Sequence, residues 1–180
     1  RISVTKGNAS LVRECSASNK RILEADHRVI IVGGGPAGLS AAVYAARANM
    51  MPLVVSRDGG QLESTSIVDN YPGFKDGVDA VDLIFALTGQ AERFGAQFKE
   101  CNIAQVDIDC RPFRVVCEDG DAITSSAIIV ATGASAKWLG AKGETELLSN
   151  GVHTCATCDG FFYRERHAAV IGGGDTAMEQ

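Results

Sequence analysis

Arg28-Val-Ile-Ile-Val-Gly-Gly-Gly-Pro-Ala-Gly38 is the stretch of sequence that decides the fold of this chain. It begins with a short run of apolar, β-branched residues that glycines close, and such a run predicts a buried strand. The alanine-rich segment 37–50 predicts a helix directly after it. The glycines between them have the spacing G-x-G-x-x-G, which is typical of a loop that holds a dinucleotide pyrophosphate at a helix N-terminus. The competing interpretation is a glycine-rich turn without a function.

Each glycine of this loop has its own predicted role. Gly33 allows the tight turn, Gly35 lets the backbone approach the pyrophosphate, and Gly38 lets helix and strand pack closely. Pro36 and Ala37 open the helix, whose free N–H groups and dipole favour an anion. The sequence therefore predicts a dinucleotide site over 33–38.

The residues after the second strand indicate which dinucleotide is bound. The fingerprint usually has an Asp or Glu about 20 residues further on, for the ribose hydroxyl. Here the predicted strand 51–56 ends at Ser56-Arg57, and Asp58 falls in the loop beyond it. The missing acid weakens an NAD interpretation and favours FAD.

The rest of the chain predicts an α/β fold. The segments with the composition of strands are 51–56, 97–108, 112–118, 122–125, 127–131 and 168–171. Segment 78–95 is amphipathic at helical spacing, 59–73 predicts a loop, and Asp119-Gly120 predicts a hairpin turn. Strand–helix alternation followed by a β-meander indicates a Rossmann-like domain with a parallel sheet.

A strand followed by three glycines occurs a second time, at 168–174. We therefore expect an N-terminal extension over 1–27, an FAD-binding domain over 28–134, and the truncated start of a second Rossmann-like domain over 135–180. Only 13 residues remain from Ala168, whereas a βαβ unit needs roughly 30. On this ground we expect that residues 1–180 alone cannot turn over a nicotinamide cofactor.

Charge and hydropathy exclude two classes of partner. The formal net charge is −5, and nucleic-acid-binding domains are usually basic, so no nucleic-acid partner is expected. No apolar run approaches the ~18 residues that a membrane span needs.

The cysteine content and the N-terminus bear on the compartment. A disulfide-stapled secreted fold is not expected, because such folds are small and this chain can build a core. A reducing compartment, the cytoplasm, is expected instead. Residues 1–27 fit either a disordered extension or the remnant of a transit peptide, which would place the protein in the plastid stroma or the mitochondrial matrix.

Cys155-Ala-Thr-Cys-Asp-Gly160 is the strongest chemical signal in the sequence. Two cysteines three residues apart can close a small disulfide, and CxxC contexts lower thiol pKa values. Asp159, directly beside Cys158, can move protons during thiol exchange. A structural zinc site needs four ligands, and the chain has neither a second such pair nor histidines at ligand spacing, so no metal is expected. Cys101, Cys110 and Cys117 are interpreted as structural, as small free hydrophobes.

At this point the motifs together resemble a known family. Segments 32–38 and 41–48 are similar to the opening of low-molecular-weight, bacterial-type thioredoxin reductases. The further motifs that carry the resemblance are Gly59-Gly-Gln-Leu62, Asp69-Asn-Tyr-Pro-Gly73, Ile129-Val-Ala-Thr-Gly-Ala134, Cys155–Tyr163 and Gly172-Gly-Gly-Asp-Thr-Ala177. They run in order from about residue 28 to the end.

The resemblance implies two cofactors, FAD and NADPH. FAD would lie along Gly33–Gly38, and the other residues implied at its site are Gly60, Gln61, Leu62, Asn70, Val106, Thr132 and Gly133. The residues implied at the NADPH site are Gly172, Gly174, Asp175, Thr176 and Ala177. Glu63-Ser-Thr-Ser66 stands where the family usually has threonines, which is a departure near the flavin.

The resemblance also implies a reaction. NADPH would reduce FAD, FAD would reduce the Cys155–Cys158 disulfide, and the dithiol would reduce thioredoxin. Cys158 would attack the thioredoxin disulfide with Asp159 as proton donor, and Cys155 would resolve the mixed disulfide. A homodimer is implied for the full-length protein.

Two alternatives remain open at this stage. The chain could be a half-length, non-catalytic flavin-fold module that serves as a subunit of a larger assembly. It could also be a related reductase that takes electrons from ferredoxin, or one with a fused thioredoxin domain.

Overall fold

The computed structural model describes residues 3–4, 25–109 and 111–179. The chain divides into two compact units. The first holds the described residues up to Val68 together with Val78–Gly133, and the second holds Asp69–Gly77 and the residues from Ala134 onward. Each unit is described by itself.

Nine strands and four α-helices make up the described chain. The strands are β1 Ser3–Val4, β2 His27–Val32, β3 Leu53–Ser56, β4 Ile67–Val68, β5 Val78–Asp79, β6 Gln97–Glu100, β7 Ile103–Asp107, β8 Phe113–Cys117 and β9 Ala122–Val130. The α-helices are α1 Pro36–Arg47, α2 Ala80–Arg93, α3 Ala156–Asp159 and α4 Asp175–Glu179. Two 3₁₀ helices cover Gly60–Ser64 and Gly160–Tyr163.

Seven strands of the first unit form one mixed sheet in the order β1-β7-β8-β9-β2-β3-β6. β2 is central, and it pairs in parallel with both β3 and β9. β7, β8 and β9 form an antiparallel meander. This is the α/β architecture with a β-meander that the sequence predicts.

The alternation of side chains along β2 builds two cores, one on each side of the strand. Val29 and Ile31 pack in one cluster with residues of α1 such as Ala42. Ile30 and Val32 pack in a second cluster with Val115 of the meander. Because a strand buried on both faces has no polar side, β2 reads as a continuous apolar run in the sequence.

Most predicted elements of the first unit are confirmed, and their boundaries shift by a few residues. Segment 97–108 holds two strands, β6 and β7, rather than one. The two predicted strands 122–125 and 127–131 are a single strand, β9, which pairs with β8 in its first half and with β2 in its second. Ser125 lies inside this strand, where its side chain is fully buried and its hydroxyl donates to the carbonyl of Ala127.

The predicted strand over 168–171 is wrong. These residues form no regular element and pair with no other strand in the described part of the chain. Val170 and Ile171 are 59% and 72% exposed. An apolar, β-branched run has strand propensity, but a strand exists only where another strand supplies its hydrogen bonds. The predicted loop 59–73 also differs, since it includes one 3₁₀ helix and strand β4.

Cys101 and Cys117 form a disulfide, so the interpretation of both as free hydrophobes is wrong. Their Cα atoms lie 6.1 Å apart, and Cys117 is 1% exposed inside the second core cluster. The sequence did not show the pair because the meander brings together residues 16 positions apart. Cys110, interpreted in the same way, and Cys15 lie outside the described residues.

Polar contacts hold the same two segments together on either side of this disulfide. Lys99 Nζ donates to the carboxylate of Asp121 at 2.6 Å. Asn102 Nδ2 donates to Glu118 at 2.9 Å, and the backbone N–H of Glu118 donates to the carbonyl of Asn102. The turn between β8 and β9 is therefore fastened to the segment that connects β6 and β7.

We predict that the Cys101–Cys117 disulfide stabilises the first unit by about 3 kcal/mol, the value for closing a loop of this length. Reductant should lower the urea midpoint of the wild type, whereas a Cys101→Ser/Cys117→Ser variant should show the lower midpoint with or without reductant. The Cys155→Ser/Cys158→Ser variant is the matched control, and it should keep the response to reductant. An equal response in all three proteins would contradict the prediction.

Asp26, just before β2, binds Thr124 of β9. Its carboxylate accepts hydrogen bonds from the hydroxyl of Thr124 at 2.7 Å and from the backbone N–H of Thr124 at 2.8 Å. These two bonds, the hydroxyl first, hold the pKa of Asp26 below its ordinary value of 3.8. The contact lies on the surface, so solvent screens it.

We predict that Asp26→Asn destabilises the protein by less than about 1 kcal/mol at neutral pH. Because the folded state lowers this pKa, the ionised carboxylate stabilises the fold above pH 3.8, and the contribution is lost as pH falls below that value. The denaturant midpoints of the wild type and of Asp26→Asn, measured from pH 7 down to pH 3, should therefore converge. Glu146→Gln, at an exposed side chain, is the control for the removal of one negative charge. A constant difference between wild type and Asp26→Asn would contradict the prediction.

Candidate functional site

The glycine loop lies between β2 and α1, where the sequence predicts it. Gly33 has φ +115°, a conformation that favours glycine, and its N–H donates to the carbonyl of Val55 at 3.0 Å. A Cβ at Gly33 would overlap the carbonyl of Ala131, and one at Gly38 would overlap the carbonyl of Gly33. The loop therefore closes only if both positions lack side chains, and α1 thereby packs directly on the ends of β2 and β9.

Gly35 is different, because the protein itself leaves room for a side chain there. Its φ is −75°, and the nearest heavy atom to a Cβ built on it is the carbonyl oxygen of Gly59 at 3.7 Å. The chain's own packing therefore does not require glycine at this position. An open backbone of this kind allows the close approach of a ligand.

The N-terminus of α1 suits an anion such as a pyrophosphate. No side chain caps it and its first turn has no acidic residue. The first helical bond runs from the N–H of Leu39 to the carbonyl of Gly35. The amides before Leu39 have no partner within the helix, as at every helix start. Free amides, a positive dipole end and an open glycine together fit the FAD pyrophosphate that the sequence predicts.

β3 ends at Ser56, and no acidic residue stands at the strand end where the dinucleotide fingerprint usually has one for the ribose hydroxyl. The hydroxyl of Ser56 donates to the carbonyl of Asp58 at 2.6 Å. The carboxylate of Asp58 accepts from the N–H of Gly60 at 3.0 Å. Asp58 thus caps the next turn, as expected for a residue beyond the strand.

Gly60, Gln61 and Leu62 lie in the 3₁₀ helix Gly60–Ser64. Gly60 has φ +76°, and a Cβ built on it would lie 3.7 Å from the Cα of Gly35. The structure therefore brings the second predicted flavin segment against the glycine loop. Glu63 fastens the turn, since its carboxylate accepts from the N–H of Gly59 at 2.8 Å.

Two further predicted FAD residues lie after β9. Thr132 and Gly133 follow the strand directly, and the N–H of Thr132 lies 3.3 Å from a Cβ built on Gly33. Val106 lies in β7, where its side chain is buried in the second core cluster. Thr132 is thus placed at the glycine loop. The side chain of Val106 belongs to the core, and the contact with FAD that the resemblance implies for this residue would be made by its backbone.

The remaining predicted nucleotide residues belong to the second unit. Asn70 lies in the segment Asp69–Gly77, which belongs to that unit. Gly172 and Gly174 precede α4, which contains Asp175, Thr176 and Ala177. A Cβ on Gly174 would have no neighbour within 4 Å. The second glycine loop thus precedes a helix, but the predicted strand before it is absent.

Cys155 and Cys158 form the predicted disulfide, with an S–S distance of 2.06 Å. Cys155 is the N-cap residue of α3, and Cys158 lies in the helix. The Sγ of Cys155 lies 3.3 Å from the hydroxyl of Thr157. Cys158 is exposed and Cys155 is half-buried, so a thiol-exchange partner can reach the pair.

Asp159 takes part in a contact that the sequence reasoning missed. Its carboxylate lies 2.9 Å from Nδ1 of His153, and Nε2 of the same ring lies 2.8 Å from the hydroxyl of Tyr163. From the sequence, the histidines were expected to matter only as metal ligands, and their spacing excluded that role. A histidine two residues before a CxxC motif, with an acid and a tyrosine after it, was the available signal.

Two other kinds of site are not found in the described part of the chain. No group of three or more His, Cys, Asp or Glu side chains could hold a metal ion there. None of the helices described is both long enough and apolar enough to cross a membrane.

Comparisons with known proteins place this geometry in a family. The family model for "Pyridine nucleotide-disulphide oxidoreductase" matches residues 27–180. A thioredoxin reductase of Vibrio cholerae is 46% identical over 155 residues, which is 85% of this chain and 48% of that protein. A glucosaminate ammonia-lyase of Pseudomonas fluorescens is 48% identical over 155 residues, with the same coverage of 85% and 48%.

A solved thioredoxin reductase of Streptococcus pyogenes superimposes with a TM-score of 0.76 at 35% identity, over 85% of this chain and 50% of that one. The chain therefore spans about half the length of the relatives that it matches. The similar fold confirms the Rossmann-like class predicted from the sequence.

We predict that alanine separates the roles of Gly35 and Gly38. Gly35→Ala should cost at most about 1 kcal/mol of stability, through the weaker N-cap, yet weaken FAD binding at least about tenfold. Gly38→Ala should cost about 3 kcal/mol, because its Cβ meets a backbone carbonyl that cannot move away. Urea unfolding of the flavin-free protein and FAD titration by fluorescence measure the two effects.

Gly89→Ala in α2 is the control, because a Cβ there has no neighbour within 4 Å. It should stabilise the protein by up to about 1 kcal/mol and leave FAD affinity unchanged. If Gly35→Ala bound FAD like the wild type, the loop would not be the pyrophosphate site.

Proposed function

The chain belongs to the pyridine nucleotide-disulphide oxidoreductase family, and on that premise we propose that it works as a thioredoxin reductase. Electrons pass from NADPH through FAD to the Cys155–Cys158 disulfide, and from the resulting dithiol to the disulfide of thioredoxin. We assign residues 28–134 to FAD binding and 135–180 to the start of the NADPH-binding domain, with the cysteine pair inside it.

The observation that carries this proposal is the Cys155–Cys158 disulfide at the start of α3, with Asp159 directly beside it. The pair is accessible, in contrast to Cys117 in the core. A CxxC pair favours the thiolate, the reactive form of cysteine. Accessible sulfurs, a thiolate-favouring site and a neighbouring carboxyl group are what thiol–disulfide exchange requires.

The first unit supplies the FAD site in this proposal. Gly33, Gly35 and Gly38 with the α1 N-terminus hold the pyrophosphate, and Gly60 and Thr132 stand against the same loop. The further residues of this unit assigned to FAD are Pro36, Ala37, Gln61, Leu62, Val106 and Gly133. When bound, FAD supplies the two-electron step between NADPH and the disulfide.

NADPH is assigned to the second glycine loop. Gly172 has φ +144°, and Gly174 leaves the backbone open to a ligand. Asp175, Thr176 and Ala177 begin the helix after this loop. The family description, which names a pyridine nucleotide, supports this use of the loop.

The chain's own residues carry out the exchange with thioredoxin. The thiolate of Cys158 attacks one sulfur of the thioredoxin disulfide, and the other sulfur leaves and takes a proton from Asp159. The thiolate of Cys155 then attacks the Sγ of Cys158. This step restores the Cys155–Cys158 disulfide and releases reduced thioredoxin.

The ammonia-lyase relative shows that similarity over this half does not by itself determine the reaction. Activity must therefore be measured on the complete gene product. NADPH-dependent reduction of thioredoxin, by a purified protein with the visible absorption bands of flavin, is the expected result. A folded, colourless protein without this activity would contradict the proposal.

We predict different behaviour for the two cysteines of the pair. Both Cys155→Ser and Cys158→Ser should lose thioredoxin reduction and keep the flavin absorption. Only Cys155→Ser should form a stable mixed disulfide with a single-cysteine thioredoxin activated with thionitrobenzoate, because Cys158 is the attacking sulfur. Non-reducing gels and mass spectrometry detect this product.

Cys101→Ser is the matched control, since it removes a disulfide sulfur outside the pair. It should retain thioredoxin reduction. If only Cys158→Ser formed the mixed disulfide with thioredoxin, Cys155 would be the attacking sulfur and Cys158 the resolving one.

A further inference from the structure

His153 is fixed from two sides within the second unit. Nδ1 lies 2.9 Å from the carboxylate of Asp159, and Nε2 lies 2.8 Å from the hydroxyl of Tyr163. The rings of His153 and Tyr163 meet edge to face, with centroids 5.1 Å apart. The side chain of His153 is 19% exposed and that of Asp159 is 38% exposed. The imidazole is thus less exposed to water than the carboxylate that it contacts.

The chemistry of the three groups orders their protons. When Nδ1 of His153 carries the ring proton, it donates a hydrogen bond to one oxygen of the Asp159 carboxyl group, and the other oxygen carries the proton that Asp159 delivers. In the neutral imidazole Nε2 then accepts, and the hydroxyl of Tyr163 donates to it. Tyr163, His153 and Asp159 therefore form a directed chain of hydrogen bonds that ends beside Cys158.

We propose that His153 is a positioning residue that orients Asp159 and returns a proton to it through Tyr163. This inference rests on the proposed thioredoxin reductase activity. When Asp159 gives its proton to the departing thioredoxin sulfur, the proton on Nδ1 moves to the carboxylate. Nε2 takes the proton of Tyr163, and the tyrosine oxygen takes one from water. One proton enters from solvent for each proton delivered, and no electrons move along the chain.

Separate measurement of the two half-reactions, reduction by NADPH and reoxidation by thioredoxin, distinguishes this role of His153 from a structural one. The complete, flavin-loaded protein with His153→Ala should be reduced by NADPH at the wild-type rate in stopped flow. Its reoxidation by thioredoxin should slow by on the order of 10- to 100-fold, within the range of general acid–base effects. Added imidazole should restore part of that rate, because it fits the space that the side chain leaves and carries protons in the same way.

Two conservative variants keep the test independent of folding. Tyr163→Phe retains the ring and removes only the hydroxyl, and it should slow reoxidation by thioredoxin in the same direction. His153→Asn retains one donor towards Asp159 and should lie between the wild type and His153→Ala. His167→Ala, which removes an exposed histidine on the same segment, is the control and should match the wild type.

The wild type tests the proposed function, and the His153→Ala variant tests the role of His153. If the wild type does not reduce thioredoxin, the proposed function fails. If the wild type is active and His153→Ala reoxidises at its rate, or if both half-reactions slow equally without rescue by imidazole, the role of His153 is overturned.

Discussion

The contact between α1 and the carbonyl of Gly33 is the constraint on which the rest of the first unit depends. A side chain at Gly38 would occupy the position of that oxygen, and one at Gly33 would occupy that of Ala131. Without side chains there, the helix meets the ends of β2 and β9 at backbone distance. This closeness directs the start of α1 over the loop, so that the same glycines that pack the fold also leave the helix amides open to a phosphate. Structure and binding therefore depend on the same atoms.

The two disulfides of the described chain differ in their surroundings, and the difference suits them to different uses. Cys117 lies inside the core between sheet and meander, and polar contacts surround its bond to Cys101. Cys158 is exposed at a short helix, with Asp159 next to it. A thiol partner reaches only sulfurs that are accessible, so the first bond is suited to holding segments together and the second to exchange. Cysteine identity alone does not separate the two roles.

Sequence reasoning succeeded where one short segment contains the whole signal. The strand β2, its glycine loop and α1 are contiguous, and the CxxC pair with its acid spans five residues. It failed where a feature depends on contacts between segments that are far apart in the sequence. The Cys101–Cys117 bond needs the register of the meander, and β9 is continuous because it pairs with β8 in its first half and with β2 in its second. Segment 168–171 has the composition of a strand, but it pairs with no other strand in the part of the chain described.

The sequence by itself determined the class of fold, the glycine loop, the reactive cysteine pair and the acid beside it, since local spacing and residue type suffice for each. Only the tertiary structure decided which glycines the packing of the chain requires and which it does not, because that depends on the atoms that a Cβ would meet. It also decided that Gly60 stands against Gly35, and that His153 joins Asp159 to Tyr163. Those contacts depend on distances between side chains and backbone atoms brought together by folding, and residue order does not contain such distances.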